Sequence, residues 1–421
     1  MKKILLTSAL VFSLAFTSVA QQQIYIPMDA SQTNHLKAYG IIFNNLKEGN
    51  PAKWLLNYQG GSFMTGYSDE LLRECRLKNV SVEVISQSKA AGIIAEVEQP
   101  DVNTAVINLD KAPKIAVYTP KQALPWDDAV TLALSYAEVE YDKIWDPEVL
   151  SGKLTEYDWL HLHHEDFTGQ YGKFWVSYRN HPWYITQVRQ MEAMASELGY
   201  NKVSREKKAV AREIKKYVGN GGFLFAMCSG TDTFDIALAA EDVDIAATPF
   251  DGDPADPNAQ QKLDYSKTLA FTDFDISLDP REYEHADIDV PVRQNQVGQM
   301  LDFFTLFEFS AKWDPVPTML TQNHVSSVRG FYGQTTAFQK DKIKESVVIM
   351  GESPRRNMVK YIHGNYGRGT FTFYAGHDPE DYKHLVDDPP TDLSLHPNSP
   401  GYRLILNNIL FPAAKKKKRK T

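Results

Sequence analysis

"GGFLFAMCSGTDTFD", residues 221–235, decides how the rest of the chain is read. Gly221 and Gly222 lead into an apolar run, Phe223 to Met227, with the length and character of a buried strand. Cys228 follows, and beyond it "TFDIALAA" has helical spacing. A sharp strand-to-helix turn needs small residues two before and two after its apex, and Ala226 and Gly230 occupy those positions. A helix starting there aims its N-terminus at the sulfur, and that partial positive charge favours the thiolate. The bland alternative is a buried small hydrophobe, which is what free cysteines usually are.

Outward from this corner the pattern is strand, helix, strand. "KIAVYTP" from Lys114 reads as a strand, "WDDAVTLALSYAEV" as an amphipathic helix, and "YDKIWD" as a strand. "DPEVLSGKL" follows as a helix and "YDWLHLHH" as a strand, with two long helices around 184–198 and 204–218 before the corner. Such alternation predicts an α/β fold with a doubly wound, mostly parallel sheet and helices on both faces. "ESVVIMGE", "NMVKYIHGN" and "RGTFTFYAGH" resume the sheet, "GNYGRG" makes a hairpin turn, and "SPGYRLILNNILF" closes with a helix.

Residues 21–111 form a small N-terminal α/β domain in this reading. "QTNHLKAYGIIFNNLKEG" is helical, "KWLLNYQGGSFM" is a strand broken by Gly-Gly, and "SDELLRECRLKN" opens with a good N-cap. "VSVEVISQ" alternates like a strand, and "GIIAEVEQPDVNTAVINLDKAP" is expected to be a strand pair. The main domain spans 112–412, with an acidic, irregular insertion at 241–330 placed as a lid over the sheet. Asp251, Asp253 and Asp256 in that insertion lack the glycine placement and terminal Glu of an EF-hand loop, so they read as a solvated loop.

The ends carry their own signals. Lys2 and Lys3, an apolar run from Ile4 to Phe16, and Ser18-Val19-Ala20 make residues 1–20 a signal peptide, with the mature chain starting at Gln21. A periplasmic or secreted location is therefore expected. The formal charge is −8, but six basic residues from Lys415 to Lys420 sit in the tail, residues 413–421. Without these six and Lys2 and Lys3, the 45 basic residues fall to 37 against 53 acidic, a balance of −16. An acidic body excludes nucleic acid as a partner and leaves the tail as the only basic surface for contact with a membrane. With only Cys75 and Cys228, the fold does not depend on a disulfide framework, although one bridge between them is conceivable.

Two further stretches carry chemistry. In "TFTFYAGHDPED", His377 ends an alternating strand and Asp378, Glu380 and Asp381 follow at once. An imidazole at a strand end beside a carboxylate is a way to build an oriented general base. In "WLHLHHEDFTGQ", His161 and His163 share one strand face, while His164 and Glu165 sit where the strand gives way to a loop. In an open parallel sheet that carboxyl edge is where ligands bind. No second ligand pair at diagnostic spacing accompanies these histidines, so no metal and no cofactor is assigned.

Together the Cys228 and His377 stretches resemble class I glutamine amidotransferase-like domains, which have a flavodoxin-like fold. Members carry Gly-x-Cys-x-Gly at the elbow and a histidine followed two positions later by glutamate. Here Ala226 takes the first glycine position and Glu380 lies three residues after His377. "GTFTFYAGH" is also similar to the relatives grouped with ThuA-like proteins. The resemblance covers roughly 112–240 and 340–412. It implies Cys228 as nucleophile, His377 as general base and Glu380 or Asp378 as the group orienting the imidazole. Backbone N–H groups at Ser229 and in the His164–Asp166 loop would stabilise an oxyanion. The whole chain is also similar to exported bacterial proteins labelled asparagine synthetase B. "CSGTDT" is similar to the phosphate loop of ATP pyrophosphatases, but is one residue short and lacks the second glycine.

Two functions of different class are expected from this. One is a cysteine-dependent amidase or related hydrolase, with Ser229, His163, His164 and Glu165 lining the site. The other is a non-catalytic relative that binds a sugar, a peptide or another small molecule through aromatics at the sheet edge.

Overall fold

The computed structural model describes residues 22–121, 128–162, 164–290, 298–353, 357–385 and 388–414. The expected signal peptide at 1–20, His163 and the basic tail Lys415–Lys420 lie outside the described residues. The first sheet is antiparallel throughout. Its elements run β1 (Gln23–Ile26), α1 (His35–Lys47), β2 (Ala52–Leu56), β3 (Ser62–Gly66), α2 (Asp69–Leu77), β4 (Glu83–Ile85), α3 (Gln87–Val97) and β5 (Ala105–Leu109). The strand order is β4-β1-β3-β2-β5. The Gly-Gly break is the turn between two paired strands. Gly60 has φ +72°, and a Cβ there would lie 2.2 Å from the Met28 carbonyl oxygen.

The expected strand pair over "GIIAEVEQPDVNTAVINL" is a correction. Its first half belongs to α3, capped by Ser86, whose side chain accepts from the Lys89 amide. The physical reason is spacing. Ala90 and Val97 are buried, and half-buried Ile93 and Ile94 pack with them, which is the i, i+3, i+4, i+7 stripe of a helix.

The second sheet is mixed. Its first half comprises β6 (Ile115–Tyr118), α4 (Ala129–Ala137), β7 (Asp142–Ile144), α5 (Asp146–Leu150), β8 (Trp159–Leu162), α6 (Trp175–Tyr178), α7 (Pro182–Glu197), α8 (Val203–Gly219), β9 (Phe223–Met227) and α9 (Ser229–Ala239). Then follow α10 (Thr248–Asp251), β10 (Phe303–Leu306), α11 (Pro315–Leu320), β11 (Ser327–Arg329), β12 (Phe338–Gln339), β13 (Val348–Ser353), β14 (Met358–Tyr366), β15 (Gly369–Tyr374) and α12 (Pro400–Leu410). The order is β11-β10-β13-β14-β15-β9-β8-β6-β7, with β12 paired to β14. From β15 to β7 the neighbours are parallel, and from β11 to β15 they are antiparallel. Helices cover both faces, α1, α4 and α12 on one and α5, α8 and α9 on the other. This is the α/β doubly wound arrangement.

Residues 241–330 are not loop alone, since β10 and β11 extend the antiparallel edge of the sheet. The two sheets share a core, in which Trp54 and Phe63 from the first cluster with Ile115 and Trp159 from the second. Arg403, fully buried on α12, ties them together. Its Nη1 donates to the Met28 carbonyl at 2.7 Å, its Nη2 to the Gly60 carbonyl and its Nε to the Tyr39 hydroxyl at 3.1 Å.

Candidate functional site

Parallel strands deliver their carboxyl ends to one edge. Met227 and Tyr374 end β9 and β15 opposite each other, and Leu162 ends β8 opposite Ala226, so Cys228, His164 and His377 emerge at one edge. Cys228 occupies the strand-to-helix corner with φ 51° and ψ −140°. A left-handed φ in a non-glycine residue costs about 1–3 kcal/mol and persists only where the surroundings over-determine it.

Those surroundings are visible. The first turn of α9 is stitched to the loop after β8. Ser229 Oγ donates to the His164 carbonyl at 2.9 Å, and Thr233 Oγ1 donates to the Ser229 and Glu165 carbonyls, the latter at 3.2 Å. From the other side, the Gln334 amide donates to Cys228 Sγ at 3.2 Å. Its loop is rigidly held. Lys360 Nζ donates to the Phe331 and Thr336 carbonyls, both at 2.5 Å, and Asp289 Oδ1 accepts from the Thr336 and Ala337 amides at 2.8 and 3.1 Å. Thr335 Oγ1 donates to Asp232 Oδ1 at 2.8 Å. Gly333 permits the close approach, because a Cβ there would meet the His377 amide nitrogen at 2.8 Å.

Burial is the largest influence on the Cys228 thiol and pushes it up, and a hydrogen bond from the His377 side chain, with its charge, leads the groups that oppose it. The amides of Thr335 and Ser229 add to the effect, and the net direction is below the ordinary thiol value. Cys75 shows the contrast. It is buried on α2, and desolvation pushes it up to about 11. Both cysteines are free thiols, so no bridge joins them.

The carboxylates expected to orient His377 have further partners of their own. Asp378 Oδ1 accepts from the Glu380 and Asp381 amides at 2.8 and 3.2 Å, and its Oδ2 accepts from the Tyr402 hydroxyl at 2.7 Å. It caps the turn after β15. Glu380 pairs with His396 Nδ1 at 3.2 Å, facing the approach to α12. Two imidazoles flank His377. His384 stacks on it at 4.6 Å between centroids, and His164 lies at 4.9 Å, tilted by 55°. His384 Nδ1 is 2.9 Å from Asp381 Oδ2. The sequence held a signal for this pair, a second histidine seven positions after the first in the same loop. Nothing local pointed to Gln334 or Thr335.

The other expected residues divide. Ser229 and His164 stand at the site. Glu165 is buried, and its charge is felt by Tyr118, Glu206 and Lys207 behind the loop. There Lys207 Nζ lies 2.8 Å from Asp146 Oδ2 and 3.8 Å from the centre of the Trp145 ring. Burial, only partly opposed by Lys207 and reinforced by Asp146 and Glu165, pushes Glu206 up to about 8. His161 is a core histidine, its Nε2 2.8 Å from Asp128 Oδ2 and its Nδ1 3.2 Å from the Phe225 carbonyl. Around Asp251, Lys202 supplies the cation, its Nζ 2.6 Å from Asp244, 3.1 Å from Asp251 and bonded to Asp253. Open cavities of about 630 and 500 Å³ lie away from Cys228, the first beside Arg212, Lys215 and Tyr366 and the second beside Phe303, Glu380 and His396. Position at the sheet edge and the polar contacts of the sulfur, not cavity size, single out the Cys228 site.

No model of a known protein family matches the sequence, and no curated protein matches it. Among solved structures, a cytoplasmic protein of Salmonella typhimurium is similar over 72% of this chain and 100% of its own, at 11% identity and a TM-score of 0.33. A second cytoplasmic protein of Salmonella typhimurium LT2 covers the same shares at 12% identity and a TM-score of 0.32. A ThuA-like protein from Bacteroides uniformis is similar over 68% of this chain and 91% of its own, at 12% identity and a TM-score of 0.29. At these scores the likenesses carry no argument about function.

Proposed function

We propose that the protein is a cysteine-dependent hydrolase of the glutamine amidotransferase-like kind, cleaving an amide or a related acyl bond. The observation that carries this reading is the left-handed corner at Cys228, where a thiol held below its ordinary pKa meets an imidazole and converging amides. In the proposed reaction the Cys228 sulfur attacks the substrate carbonyl carbon, and a thioester forms as the bond to the leaving amine breaks. His377 takes the thiol proton and hands it to the departing nitrogen. Water then attacks the thioester, His377 holds the proton released, and the acid departs as the thiol is restored. The Ser229 and Gln334 amides supply donors for the oxyanion.

Alkylation by iodoacetamide tests it, because the chain carries its own control. Peptide mapping at pH 7 should find Cys228 labelled and Cys75 untouched, and an activated ester should leave an acyl group on Cys228. Labelling of Cys228 no faster than of Cys75 would sink the hydrolase and favour the ligand-binding reading.

A further inference from the structure

We infer that Phe174, Tyr178, Trp183 and Tyr283 form the subsite for an uncharged ring with an apolar face, aromatic or pyranose, beside the bond that Cys228 attacks. The inference rests on the reading of Cys228 as nucleophile and says what the site accepts. The rings form one contiguous wall. Phe174 lies 5.8 Å from Tyr178 and 6.0 Å from both Trp183 and Tyr283, and Tyr178 lies 5.1 Å from Trp183. Phe174, Tyr178 and Trp183 back onto a small core around Tyr171, Tyr184 and Phe250 and stay half-buried, while Tyr283 is 43% exposed.

Gln334 links this wall to the sulfur. Its amide donates to Cys228 Sγ, while its side-chain nitrogen donates to the Gly172 carbonyl at 2.7 Å and the Tyr283 carbonyl at 3.4 Å. The loops that bear the rings are built with care. Asp166 accepts from the Thr168, Gln170 and Gly172 amides at 2.7, 2.9 and 2.9 Å. Lys173, buried, donates to the Ser277 and Glu284 carbonyls at 2.8 and 2.9 Å, pinning the segment that carries Tyr283. Tyr171 and Lys173 both sit at left-handed φ, 51° and 53°, in the turn that delivers Phe174. Strained, over-determined loops cluster where a ligand must be met in one geometry.

Ring stacking chooses the class. Clustered aromatic faces open to solvent beside a reactive group favour a planar partner or the apolar face of a sugar. Glu282 and Glu284 flank Tyr283 in sequence, while Asp279 is neutralised by Arg281 at 2.6 Å, so the two flanking carboxylates disfavour a carboxylate-bearing ring.

Calorimetric titration of the Cys228→Ala protein tests the subsite without thiol chemistry, using N-benzylacetamide, methyl N-acetyl-β-glucosaminide and phenylacetate. At least one uncharged probe should bind, and whichever binds tells an aromatic from a pyranose ring. Its affinity should fall about fivefold in Tyr283→Ala and in Trp183→Ala, and be kept in Tyr283→Phe. Phenylacetate should bind more weakly than N-benzylacetamide. Binding of neither uncharged probe, or binding untouched by both alanine variants, overturns the inference. Iodoacetamide labelling of the unsubstituted protein is read separately, so failure of the nucleophile is distinguishable from failure of the ring subsite.

Discussion

The His384 ring lies on the His377 ring, centroids 4.6 Å apart and planes inclined by 19°. An imidazole that hydrogen-bonds a thiol is thus backed by a flat face, and that face is fixed in turn by Asp381. Stacking restrains ring orientation without requiring charge. His384→Phe should therefore keep the rate of Cys228 alkylation within about twofold, while His384→Ala should lower it by about tenfold through lost orientation. Equal losses in the two variants would show that His384 acts through its nitrogens instead.

Removing His377 should expose what burial does to Cys228. Desolvation is the largest influence on this thiol and pushes it up, and His377 leads the groups that reverse it. His377→Ala should move the midpoint of the alkylation–pH profile upward. The rate at pH 7 should fall on the order of tenfold or more, since only thiolate reacts. An unmoved midpoint would assign the depression to the amides and the helix terminus.

Glu206 should make stability depend on pH in an unusual direction. Its folded pKa, about 8, lies above the ordinary value of 4.5, so the unfolded chain ionises first. The contribution is complete below pH 4.5 and is lost as the pH rises towards 8. Glu206→Gln should flatten that decline and, at pH 8, be more stable by on the order of 2 kcal/mol. Urea unfolding at pH 5 and pH 8 measures it, and equal pH slopes in both proteins would refute the account.

Arg403 should be the most costly single truncation between the two sheets. Arg403→Met keeps much of the volume but leaves the Gly60 carbonyl without its donor and the Met28 carbonyl with His35 Nε2 alone. A loss of roughly 3 kcal/mol is expected, read as a lower urea midpoint. A loss confined to the first sheet, seen as two separate transitions, would show that Arg403 fastens one unit and not both.

How much of this was legible beforehand follows from the range of the forces involved. The Cys228 corner is local: an apolar run, small residues on either side and a helix-forming stretch are neighbours in sequence, and backbone sterics act over that distance. The alternation from Lys114 to Ala239 predicts parallel strands for the same reason. "GIIAEV" was ambiguous because a short apolar run suits either a strand or a helix, and only packing against the first sheet resolved it.

The surroundings of the sulfur were decided by tertiary structure alone. Strand order places β15 beside β9, and this brings His377 to Cys228 and with it His384 and Asp381. Asp378 and Glu380 are adjacent to His377 in sequence, yet turn amides, Tyr402 and His396 claim them. A carboxylate goes to the nearest donors in space, and those are set by where α12 docks. The Gln334 amide and the Tyr283 ring belong to segments that no periodicity describes, held by buried Lys360, Asp289 and Lys173. Local sequence specified the corner that presents the thiol, because its conformation depends on neighbouring residues. What stands around that thiol was settled by long-range packing, because hydrogen bonds and ring contacts between distant segments exist only after the sheet has assembled.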